Sequence, residues 1–278
     1  MPTFATPGPI TATAEVAGAR VRVTASERTD TVVLVEPLNA TSREDVTVAG
    51  QTTVDFTDGQ LTVKTIVPGD KDGSVAITID LPAGSRLIAY LAHSGVHVDG
   101  SVGLCELHMA SGRVRLDRIN ALRANISAGE VEIGHIAGRA DIEGAAFAVR
   151  IGEVEGPAGI TSSGGQVWIG HAAADLELSS SSGGFDIDRA DGSVTATTGS
   201  GAIRIGRMTH GQAKLTNGSG NIEVGISEGT AASVDVNSER GAVHDFVSSH
   251  GNPDPSDRKV MVHARTRHGD IIIQRAAS

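Results

Sequence analysis

The chain is poor in the residues that most proteins use to brace a core or to carry out chemistry. It has one cysteine in 278 residues, Cys105, which excludes an internal disulfide. Its motif holds no cationic partner that would activate a thiol, so a small buried hydrophobe is expected there. Aromatic residues make up 3% of the chain. That excludes a core built on large rings and implies a thin one of Val, Ile, Leu and Ala. Lys and Arg number 23 against 33 Asp and Glu, a formal net charge of −10. This balance argues against nucleic-acid binding and against docking on anionic lipid, which both want clustered cations. No apolar run approaches the 18 residues of a membrane-spanning helix. The opening Met1-Pro-Thr-Phe-Ala-Thr-Pro-Gly-Pro has neither the basic region nor the apolar stretch of a signal peptide. The expectation is a cytoplasmic protein with no direct membrane insertion. A helical period of 3.6 persists nowhere, so strands are expected throughout.

Glycine is abundant, at 35 residues, and it is placed regularly. Gly95-Val-His-Val, Gly112-Arg-Val-Arg-Leu, Gly129-Glu-Val-Glu-Ile, Gly165-Gln-Val-Trp-Ile, Gly184-Phe-Asp-Ile, Gly201-Ala-Ile-Arg-Ile, Gly220-Asn-Ile-Glu-Val and Gly269-Asp-Ile-Ile-Ile follow one scheme. Most neighbouring marks stand about 17–19 residues apart. A fixed period of this length signals units that bury their apolar faces against one another. Each unit supplies two inward pairs with a single apolar residue between them, as in Val131-Glu-Ile133, Ile136 and Ala140-Asp-Ile142. The pattern predicts an all-β fold, a parallel β-helix of about 17–19-residue coils. About 10 rungs at roughly 4.8 Å each would span about 45–50 Å.

Residues 1–90 also alternate, at Val21-Arg-Val23, Val32-Val-Leu-Val35, Leu61-Thr-Val63 and Val75-Ala-Ile-Thr-Ile79. They are expected to form a β-rich cap region of about six strands, either a small sandwich or irregular first coils. Residues 91–278 are expected to form the repeat region. Within it, 248–258 is a Pro/Gly/Ser-rich loop, and a final atypical coil at Val260–Ala264 and Asp270–Gln274 closes the stack.

The residues between the inward pairs test the register. Down the stack they read Arg115, Glu132, Arg150, Trp168, Asp186, Arg204 and Glu223. Opposite charges on adjacent strands attract by a few tenths to about 1 kcal/mol, so an alternating ladder favours in-register stacking. Arg150, Trp168, Asp186 and Arg204 are the candidate partner-binding face. Trp168, the single tryptophan, would either anchor a partner or pack under Arg150. A second ladder reads Arg118, His135, Glu153, His171, Arg189 and Arg207. His135, Glu153 and His171 are zinc-type ligands on successive turns, as are His93, His97 and His108 near one corner. A solvated charge ladder is the expected reading of both groups, with no metal and no cofactor.

The order of the motifs resembles a bacterial family of β-strand-repeat proteins that carries the adhesin label, domain of unknown function 4097. The resemblance rests on Phe4-Ala-Thr-Pro-Gly-Pro-Ile10, Thr31-Val-Val-Leu-Val-Glu-Pro37, Leu81-Pro-Ala-Gly-Ser85, the Ser-Gly-x-Ile/Val-x-Ile/Val units and Thr266-Arg-His-Gly-Asp-Ile-Ile-Ile-Gln274. It implies a β-helical fold and brings no catalytic residues with it. Polysaccharide-active β-helix enzymes need clustered acids in a groove and protruding loops. Here acids and bases alternate singly and the turns are short, so no enzyme is expected. The expected function is binding or interaction through rigid ladder faces, with a protein or cell-envelope partner. A self-assembling structural scaffold, in which the partner is a second copy, is the alternative.

Overall fold

A chain that repeats every 18 residues can satisfy its backbone only by pairing each strand with the strand one repeat away. The computed structural model, which describes residues 2–65, 74–247 and 259–276, is built this way. The loop expected at 248–258 lies outside the described residues. The chain divides into two compact units, Met1–Gly138 and Arg139–Ser278. Each is a parallel β-solenoid.

In the second unit two inward columns run unbroken, and the one register shift among its described residues falls between Ile205 and Met208. Ala140, Ala158, Leu176, Val194 and Ala213 stand in register, as do Val149, Val167, Phe185, Ile203 and Ile222. All are at most 3% exposed, and each large apolar side chain so buried contributes about 1.5–3 kcal/mol. Glycine marks the corners because adjacent rungs approach closely there. Gly165 has φ +109°, and a Cβ on it would lie 1.9 Å from the Phe147 carbonyl oxygen.

The coil order departs from the chain order at one end of this unit. Lys259–His268 pairs on one side with Gly211–Ser219 and on the other with Ala231–Arg240. Ile271–Arg275 likewise sits between Ile222–Ile226 and Val243–Asp245. The coil at 259–275 is therefore inserted, and the coil at 231–247 is outermost. This corrects the expectation that 260–274 closes the stack. Hydrophobic sorting explains it. The inserted coil buries Val260, Val262, Ala264, Ile271 and Ile273 completely or nearly so. In the outer coil, the column of Ile151, Ile169, Ile187, Ile205, Val224 and Ile273 receives Asp245. A carboxylate in the middle of that column would be desolvated. At the end it is exposed and accepts from the Val247 N–H at 2.9 Å.

The first unit interleaves its coils too. Thr11–Ala17 lies between Gln60–Lys64 and the start of Arg86–Ile136, and Ala19–Ser26 lies between Val75–Pro82 and the same long strand. The coil at 11–26 is thus second in its stack, and the strands Gln60–Lys64 and Val75–Pro82 form the first. Antiparallel strands cover this outer coil: Asp30–Pro37 pairs with Val75–Pro82, Thr53–Thr57 with Gln60–Lys64, and Thr3–Ala5 with Asp30–Pro37. Phe4 and Phe56 stack at 4.8 Å. A helix, Arg43–Gln51, packs against this layer through Val48, which is 5% exposed. No helix was expected. Its signal is an N-cap too local to read as periodicity: the Ser42 hydroxyl accepts from the Asp45 N–H and donates to the Asp45 carboxylate. Cys105 is buried, and burial pushes its thiol up to about 12.

Candidate functional site

The strand alternation that buries Val149, Val167, Phe185 and Ile203 must turn the next residue of each strand outward. Register places these residues on consecutive rungs as Arg150, Trp168, Asp186, Arg204 and Glu223. These outward residues therefore form one continuous ladder. The Arg150 guanidinium lies 4.7 Å from the centroid of the Trp168 ring, a cation–π contact. The Trp168 ring extends over Gly170, where an added Cβ would come within 3.0 Å of it. It remains half-buried. Arg204 Nη1 reaches the Asp186 carboxylate at 2.7 Å and the Asp188 carboxylate at 3.4 Å. The bond to Asp186 raises the Arg204 pKa against the opposing effect of burial, with Glu223 adding to the rise. In the first unit the same alternation joins Arg115 to Glu132 at 2.8 Å.

The second ladder is in register as Glu153, His171, Arg189 and Arg207. Its chemistry centres on a residue that the sequence reading passed over. Asp191 accepts from Arg189 at 2.7 Å, from His171 Nε2 at 2.9 Å and from the Thr209 hydroxyl at 2.7 Å. Burial pushes its carboxyl up, but the bonds from Arg189, Thr209 and His171 outweigh that and hold it far below the usual carboxylate range. The missed signal is the Arg-x-Asp pattern. Arg28 with Asp30 and Arg139 with Asp141 show the same spacing and bond the same way, each pair straddling a strand end.

The histidine groups disperse. His171 binds Glu153 through Nδ1 and Asp191 through Nε2. The two ring nitrogens point in opposite directions, so these carboxylates do not converge on a point. His93 bonds Ser111, His97 bonds Asp99, and His108 stacks on Tyr90 at 4.7 Å. Among the described residues no group of three or more His, Cys, Asp or Glu side chains is arranged to hold a metal ion. No described helix is long and apolar enough to cross a membrane.

Interlocked parallel coils carrying alternating charge ladders define a β-solenoid of the β-helix class. The chain belongs to the Toastrack DUF4097 family, whose profile matches residues 13–274. Among solved structures it is similar to a "putative adhesin" from Parabacteroides distasonis, with 11% identity over 98% of this chain and 95% of that one and a TM-score of 0.45. A second "putative adhesin", from Bacteroides fragilis, shows 13% identity over 98% and 95% with a TM-score of 0.37. A "putative cell adhesion protein" from Clostridium sporogenes shows 12% identity over 99% and 98% with a TM-score of 0.27. No curated protein matches the chain.

Proposed function

We propose that the protein is a non-enzymatic binding module that presents the Arg150–Trp168–Asp186–Arg204 ladder to a protein or cell-envelope partner. The observation that carries this reading is the half-buried Trp168 set in register between Arg150 and Asp186 on a rigid sheet face. Indole and guanidinium groups give large contact energy at low ordering cost when they are already held in place. The face is fixed by the coils beneath it, so binding does not have to order it. The test compares wild type with Trp168→Ala and Arg204→Ala in capture from envelope and soluble fractions. The reading expects one component that wild type retains and both variants lose, with unfolding midpoints shifted by no more than a few degrees. Equal capture by all three proteins removes this face from consideration.

A specific observation favours a second reading, self-assembly. Among the described residues, Ala231–Arg240 pairs along one edge only. Val243 and Phe246 beside it are 43% and 60% exposed. A bare parallel edge is a template for another strand. Light scattering across a concentration series separates the two readings: growth into rods supports assembly, and a constant monomer mass rejects it.

A further inference from the structure

Gly95 differs from the corner glycines. It is not among the positive-φ residues, and a Cβ on it would meet only the Arg113 carbonyl oxygen, at 3.9 Å. The backbone at this position accepts any L residue, so the fold does not explain the missing side chain. The surroundings are cationic. Strand Ala19–Ser26 sets Arg20 beside Gly95 and Arg22 beside His97. Arg113 and Arg115 close the other side. Together they enclose a depression of about 430 Å³ whose floor is left open at Gly95.

Four guanidiniums on the two rungs flanking Gly95 repel one another, an odd arrangement in a chain of net charge −10. Carboxylates offset part of this. Arg22 pairs with Asp99 at 2.9 Å, Arg113 with Glu130 at 2.8 Å and Arg115 with Glu132 at 2.8 Å. His97 Nε2 also reaches Asp99, at 2.8 Å. Arg20 has no ionic partner among the described residues. Each guanidinium carries five N–H donors, and one carboxylate engages at most two or so. The side chains of Arg22, Arg113 and Arg115 are 65%, 73% and 55% exposed, so their remaining donors can turn into the depression.

We propose that this depression binds a tetrahedral oxyanion, a phosphate or sulfate group, seated over Gly95 between Arg20 and Arg113 with Arg22 and Arg115 beside it. The backbones of Arg20 and Arg113 stand two rungs apart, about 10 Å. Two long arginines can close over that distance around one anion, and any side chain at position 95 would occupy the space between them. A planar carboxylate is satisfied by a single bidentate arginine. Several guanidiniums lining one depression match a group with three or four acceptor oxygens. This site lies in the first unit and is independent of the Trp168 face.

The test is calorimetric titration of the full chain at low ionic strength with inorganic phosphate, inorganic sulfate and a monosulfated sugar. Saturable one-to-one binding of at least one probe is expected. Gly95→Gln, which fills the floor without backbone strain, and Arg20→Gln should each weaken it at least tenfold. The unfolding midpoint of unliganded Gly95→Gln should stay within about 2 °C of wild type. Binding of the sugar ester alone assigns the group to an esterified glycan, and binding of the inorganic ions assigns it to the free anion. Absence of saturable binding by all three probes, or wild-type affinity in Gly95→Gln, overturns the proposal.

Discussion

Replacing Gly165 by alanine should be among the most damaging single changes available to the second unit. Two separate effects act there. Its φ of +109° lies where L side chains rarely go, at a cost of about 1–3 kcal/mol. In addition, the new Cβ would lie 1.9 Å from the Phe147 carbonyl oxygen and 2.7 Å from its carbon. Restoring ordinary contact requires the two rungs to part by about 1.5 Å. The corner bond that spans these two rungs next to this point, Val149 N–H to the Gln166 carbonyl at 3.0 Å, does not survive such a movement. At about 1 kcal/mol for that bond, the combined loss is about 2–4 kcal/mol, or a fall of roughly 5–15 °C in the unfolding midpoint. Two controls separate the effects. Gly59 has φ +74° with nothing within 4 Å, so Gly59→Ala carries only the dihedral cost, about 1 kcal/mol. Gly95→Ala carries neither cost and should leave the midpoint unchanged. Calorimetric scans of the three variants make the comparison. The reasoning is refuted if Gly165→Ala melts no lower than Gly59→Ala.

The other predictions concern charge and thiol chemistry. The carboxyl of Asp191 is depressed in the folded state, so its bonds stabilise the protein fully above the unfolded value near 3.9 and are lost as pH falls through the lower folded value. Asp191→Asn should therefore cost about 2 kcal/mol at pH 7, and its gap from wild type in urea melts should narrow as pH falls below about 4. A gap independent of pH would reject the assignment. Cys105, with its thiol pushed up to about 12, should resist an alkylating reagent in the native protein at pH 8 and react fully in denaturant. Rapid native labelling, read by mass spectrometry, would contradict its burial. Ser42→Ala removes the helix cap and should lower stability by about 1 kcal/mol in urea melts, less than any core truncation.

The rungs were legible because their signal is local and redundant. Each coil repeats the same inward pairs, and the outward charges at 150, 186, 204 and 223 agree with the register that the inward residues demand. The helix at Arg43–Gln51 was not, since it spans only 9 residues and one of them is fully buried. The order of the last coils was hard to read for another reason. Val234-Asp-Val236 and Val262-His-Ala264 both fit beside Ala213-Lys-Leu215, so inward pattern alone does not rank them. The discriminating residue is Asp245, which takes an inward column position that only an end rung tolerates. The face at Arg150, Trp168, Asp186 and Arg204 was assembled from alternation alone. The Asp191 hub needs a strand end and a corner to meet, and the groove over Gly95 needs to show that a glycine is sterically unnecessary. Neither condition is visible in a linear pattern.

The interleaved coil order has a consequence for biosynthesis. A solenoid built strictly in chain order could add each rung as it leaves the ribosome. Here residues 231–247 are made before the strands they rest on, 259–268 and 271–275. Until 259–275 emerges, the seat beside 211–226 stands open to the coil at 231–247, which in the finished fold lies one rung further out. A stop codon after 258 would remove the rung on which, among the described residues, the outer coil rests. Residues 259–275 act as a latch that is thrown last and holds a part already made.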